Sequence, residues 1–158
     1  MPDRKPPRLE GDEGDTLRAL LQYQRDSLVR KASGVDEAAA RRSLVGSGTT
    51  MLWLIKHVAR AESLWIQRRF AGEELNLPDD TVHPDDTLAA ALEAYRTTWT
   101  RTDSIVASAS SLDESCRDVG DEAPVNLRWV LMHLLEETAR HAGHADILRE
   151  LIDGSTGR

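Results

Sequence analysis

Three residues near the end of the chain, Glu137, His141 and His144, have types and spacing suited to metal or acid–base chemistry. They lie in WVLMHLLEETARHAGHADILREL, Trp129 to Leu151, where Val130, Leu134, Glu137, His141, His144, Leu148 and Leu151 recur at i, i+4, i+7, i+11, i+14, i+18 and i+21. At that period all seven fall on one stripe of an α-helix. The aliphatic ends of the stripe mark it as a core-facing seam. Its middle is a carboxylate and two imidazoles, which are costly to bury unless each finds a partner. A bound cation is one such partner.

A further ligand has to come from another helix, because metal sites in bundles are built from inward-pointing side chains on facing helices. The segment TMLWLIKHVARAESLWIQRRF, Thr50 to Phe70, supplies one. Met51, Leu54, Val58, Ala61 and Trp65 form its apolar face, and His57 sits beside that face. His57, Glu137 and His141 are therefore the candidate metal ligands. Two imidazoles and a carboxylate suit a divalent first-row metal, and three protein ligands leave room for water or substrate. An open position points to Lewis-acid or nucleophile-activating chemistry. His144, one turn beyond His141, has three readings: a fourth ligand, a hydrogen-bonding partner of a ligand, or a catalytic general base.

Blander readings stand beside these. His57 also fits a core or boundary histidine, and Glu137 with His141 fits solvent-facing helix decoration. ExxxH is a weak signal in isolation. His133, four residues before Glu137, competes as a ligand, but helical rotation carries it to the edge of the stripe. Trp53, Trp65, Trp99 and Trp129 read as packing residues at helix interfaces, with room for one or two of them to line a pocket.

The elements that must position these groups are all helical. Residues 1–14 are charged, rich in Pro and Gly and aperiodic, which predicts a flexible N-terminal arm before a domain over 15–154. Asp15 is placed to cap a first helix that runs to about Ala32, with a short helical turn over 36–42 after it. Residues 72–86 are polar, contain two prolines and read as a loop, with His83 exposed on it. A third helix follows Asp85-Asp86, carrying Leu88, Leu92, Tyr95, Trp99, Thr102 and Val106, and ends near Ser108 to Ser111. The last runs from near Val125 to Asp153, and Gly154 is its stop. No stretch alternates as a strand would. The fold class this predicts is all-α, a four-helix bundle.

Composition narrows the partners. A chain of 158 residues fits one domain and needs neither disulfide nor metal for stability alone. Its net charge of −7, with 27 acidic against 20 basic residues, argues against nucleic acid as the main partner. No apolar run is long enough to span a membrane, and the first residues lack a signal-peptide core. With one cysteine, Cys116, these features predict a soluble cytoplasmic protein.

Two segments carry a resemblance. SGTTMLWLIKHVARAESLW (Ser47 to Trp65) and LRWVLMHLLEETARHAGHADILRELIDG (Leu127 to Gly154) resemble the DinB-like superfamily. That group includes bacterial thiol-dependent S-transferases and the mycothiol-dependent maleylpyruvate isomerase, and this chain is most similar to an actinobacterial branch. The resemblance implies an up-down-down-up bundle, often a homodimer, and a divalent metal, zinc or nickel. His57 and His141 match two ligand positions. The middle position is commonly histidine; Glu137 stands there, as in the isomerase branch. The activity implied is S-transfer or thiol-assisted isomerisation, with a small-molecule thiol such as mycothiol as co-substrate and a small electrophile as its target. On this reading His144 accepts the thiol proton, and Arg140 or Arg149 holds a carboxylate. The alternative is a non-enzymatic metal-binding or stress-associated bundle.

Overall fold

Four polar side chains start the long helices. In the computed structural model, which describes residues 5–121 and 123–156, α1 spans Glu13–Ala32, α2 Glu37–Arg41, α3 Met51–Glu62, α4 Leu88–Ser108 and α5 Leu127–Asp153. The α3 rod continues without a break through a π-helical stretch, Ser63–Phe70. Side-chain oxygens of Asp12, Thr50, Thr87 and Asn126 accept backbone N–H groups at the starts of α1, α3, α4 and α5. Each satisfies a donor that has no intrahelical partner. Asp15 is therefore not the cap expected from the sequence. Its own N–H donates to Asp12 Oδ1 at 2.8 Å, and α1 begins two residues earlier. Asp12, Glu13 and Gly14, assigned from the sequence to the N-terminal arm, thus belong to the start of α1; residues 1–4 of that arm lie outside the described residues. At the other end Gly154 adopts φ 74°, the left-handed conformation that ends a helix and that glycine reaches without steric cost.

Contacts between helix ends fix the topology. Glu13 pairs with Arg128, and Lys31 with Asp146, so α1 and α5 run parallel. His57 meets His141 while Trp65 meets Trp129, so α3 runs against α5. Leu88 and Leu92 pack with Met51, Leu54 and Ile55, whereas Ile105 packs with Ile66 and Phe70, so α4 runs parallel to α3. This is the up-down-down-up bundle. Two adjacent parallel helices need a long return, and residues 71–87 provide it.

The core divides into two apolar clusters, one around Leu28, Met51, Leu52 and Leu148, the other around Leu21, Ile66, Leu131 and Leu134. A buried ion pair sits in the core. Arg25 of α1 forks onto Glu62 of α3, with Nη2···Oε1 at 2.5 Å and Nε···Oε2 at 3.2 Å. Thr102 of α4 donates to the same carboxylate. Three helices are pinned together at that level. Among the described residues there is no strand, only an isolated bridge between Ser115 and Asn126, and no helix is long and apolar enough to cross a membrane.

Candidate metal centre

The stripe read from α5 has an inner and an outer part. Val130, Leu134, His141 and Leu148 are buried; Leu151, expected to close the apolar seam, is 51% exposed. Helical drift explains it: a heptad-like spacing rotates away from the core over six turns. Glu137 and His141 lie one turn apart, and His141 Nε2 approaches Glu137 Oε1 at 3.0 Å.

From the facing helix, His57 brings Nε2 to 3.3 Å from the same oxygen. The three donor atoms lie within 4.8 Å of one another. Ligands about 2.1 Å from a tetrahedral ion stand roughly 3.4 Å apart, so the trio converges as a three-ligand site requires. Glu137 and His57 retain about a quarter of their side-chain exposure, at 22% and 27%, which leaves one side of the site reachable from solvent. The triad predicted from sequence is thus assembled in space.

Electrostatics suit a cation. Burial pushes the Glu137 carboxyl up, but the hydrogen bonds and charges of His141 and His57 outweigh it and hold it below the ordinary glutamate value. Burial drives the His141 imidazole down; Glu137 opposes this, and His57 and His144 add to it, leaving the value below that of a free histidine. Glu137 is an anion and His141 is neutral near pH 7, the states that a metal needs in its ligands.

Each imidazole has a second contact that orients it. His57 stacks on Trp53, one turn earlier on α3, with centroids 4.6 Å apart and planes at 17°. Its Nδ1 lies 3.0 Å from Asp80 Oδ2. His141 Nδ1 lies 3.3 Å from Nδ1 of His144. His144 therefore stands behind His141 rather than at the convergence point, and it lines an apolar cavity of about 340 Å³ with Val45, Thr49, Ile147 and Leu148.

Other residues singled out from sequence go elsewhere. His133 packs between Trp65 and Trp129, away from the triad. Trp129 packs on Trp65 across the helix interface, as read from the sequence, while its outer side leaves it 43% exposed. Arg140 pairs with Glu136 on the surface, and Arg149 donates to Asp153 and to the carbonyls of Lys31 and Ser33 at the end of α1. His83 is exposed and bonds Asp79. Burial raises the pKa of the Cys116 thiol, against the neighbouring Arg69, so it is a poor nucleophile. Sequence reading missed Trp53 and Asp80. Trp53 carried a usable signal, four residues before His57 on the same face. Asp80 did not: it is one of several acids in a loop without periodicity.

Comparison with known proteins bears on this geometry. The crystal structure of a conserved protein of a locus from Enterococcus faecalis superposes with a TM-score of 0.65 at 18% identity, over 92% of this chain and 99% of that one. At that identity the likeness shows the fold alone. No curated protein matches the chain. The family described as mycothiol-S-transferase matches residues 16–154, all of the bundle but the first turn of α1. By that match, the chain belongs to the mycothiol-S-transferase family.

Proposed function

We propose that the protein is a metal-dependent transferase that joins a low-molecular-weight thiol, mycothiol first among candidates, to a small electrophile. The observation that carries this is the convergence of His57 Nε2, Glu137 Oε1 and His141 Nε2 in a chain of the mycothiol-S-transferase family. A divalent ion such as zinc or nickel, held by those three, supplies Lewis acidity that keeps a thiol sulfur deprotonated near neutral pH. The rest falls to the chain. Trp53 holds the His57 ring, and the side of the triad that solvent reaches admits the thiol. His144, exposed beside His141, accepts the thiol proton as catalytic base. The apolar cavity that His144 lines takes the body of the electrophile.

The sulfur then forms a C–S bond. With an aryl halide the C–halogen bond breaks and halide leaves; with an activated alkene, addition followed by expulsion of the thiolate gives an isomerisation. A reducing cytoplasmic setting and a homodimer complete the reading. The test is turnover of purified protein with mycothiol and 1-chloro-2,4-dinitrobenzene, followed by conjugate absorbance. Turnover that needs metal and is lost in His57→Ala and His141→Ala supports the proposal. Stoichiometric metal with no turnover across thiols and electrophiles leaves a metal-binding bundle and refutes the transferase.

A further inference from the structure

The return between the parallel helices α3 and α4 is strapped down over one end of the metal-ligand trio. Arg60 donates to the carbonyl of Pro78 at 2.8 Å. Lys56 donates to the carbonyl of Thr81 and pairs with Asp86. Arg41 of α2 reaches the carbonyls of His83 and Pro84 at 3.0 and 3.1 Å. Backbone carbonyls at four positions are thus held by cations that stand on helices. Such a loop has little freedom to move its side chains relative to α3.

What the strap delivers is Asp80. One carboxylate oxygen lies 3.0 Å from His57 Nδ1, and the other is 3.8 Å from Arg60, which orients the group. A neutral imidazole has one N–H and one lone pair. His57 faces a carboxylate at each nitrogen, Asp80 at 3.0 Å and Glu137 at 3.3 Å. The nitrogen that donates its proton decides whether Nε2 presents a lone pair or a hydrogen to the centre. Resting on the metal reading above, we propose that Asp80 is a positioning residue of the centre: it takes the Nδ1–H of His57, and so turns the Nε2 lone pair toward Glu137 and His141. Carboxylate–histidine–metal relays of this kind raise ligand basicity, and loss of the outer partner costs 10–100-fold in metal affinity in general.

The test uses the full chain as wild type, Asp80→Ala and Asp80→Asn, with two readouts. The first is long-range ¹H–¹⁵N correlation on metal-free protein near pH 9, where ordinary imidazoles are neutral. The second is zinc affinity by competition with a chromophoric chelator. The wild type is expected to hold His57 as the Nδ1–H tautomer. Asp80→Ala should move the proton to Nε2, where Glu137 accepts it, and weaken zinc binding about 10–100-fold. Asp80→Asn keeps an accepting oxygen and should retain the tautomer and most of the affinity. An unchanged tautomer, or zinc affinity equal to wild type, in a folded Asp80→Ala overturns the proposal. If the wild type itself takes up no zinc, the metal reading fails separately, and the tautomer alone decides for Asp80.

Discussion

The sharpest stability prediction concerns Glu62→Ala. Arg25 and Glu62 keep only 3% and 2% of their side-chain exposure, and both guanidinium donors of the fork land on the one carboxylate. Removing Glu62 leaves a buried cation without its main partner, a loss that costs about 3–5 kcal/mol in general. Asp103 still reaches Arg25 Nη1 at 2.8 Å, but it is 56% exposed and sits at the rim, so it offsets little. The low end, about 3 kcal/mol, is the expected value. At about 2–4 °C per kcal/mol for a chain of this size, the melting temperature should fall by roughly 6–12 °C. Urea and thermal unfolding followed by far-UV circular dichroism give both numbers. The double variant Arg25→Met/Glu62→Leu should recover most of the loss, because well-packed apolar residues replace a buried pair at little cost or with gain. Glu62→Ala within about 1 kcal/mol of wild type, or a double variant as unstable as the single, would refute the reasoning. The pair also matters to the centre, since Glu62 lies five residues beyond His57 and fixes the height of α3 against α1 and α4.

Further outcomes follow from the same geometry. Trp53 stacks on His57, so metal addition should change tryptophan emission, and Trp53→Phe should remove that change while Trp99→Phe preserves it. The carboxyls of Asp79 and Asp86 lie below the ordinary aspartate value, mainly through hydrogen bonds to His83 and to Lys56 respectively, and Glu137 is held low as described. Depressed folded values mean that their stabilisation is complete above about pH 5, past the unfolded values, and disappears as pH falls through the folded values. His141, whose imidazole is held below the free value, adds a loss that begins as pH falls below about 6.5, where the unfolded chain takes the proton first. Stability from urea unfolding should therefore decline gently below about pH 6.5 and steeply below about pH 5; stability unchanged down to about pH 3 would contradict this.

Much of the bundle was legible in the sequence because helix faces repeat at a fixed period and glycines punctuate them. Met51, Leu54 and Val58, read as one apolar face, are buried as that period requires, and Gly154 ends α5 where its φ permits. The triad was readable for the same reason: a four-residue spacing puts Glu137 above His141 in any straight helix. Caps were less so. Asp12, Asp15, Asp85 and Asp86 are equally good capping types, and packing chose Asp12 and Thr87. The register between α3 and α5 was not written in either segment alone; His57 was joined to Glu137 and His141 as the histidine beside the apolar face of the other strong helix, and the family resemblance strengthened that choice. Asp80 was beyond reach because its position depends on Lys56, Arg60 and Arg41 holding a loop that has no period of its own. His144 matched the stripe, yet its ring turns behind His141, a direction that spacing does not specify.

Everything proposed for the site depends on His57, Glu137 and His141 holding a divalent metal. The most direct test is elemental analysis of untagged protein purified without chelator, as wild type and His141→Ala. Near-stoichiometric metal, zinc or nickel, is expected in the wild type, with its loss in a variant that still folds. A wild type that is metal-free and takes up neither added zinc nor added nickel would contradict it, and would leave the trio as a hydrogen-bonded polar cluster at the edge of the core.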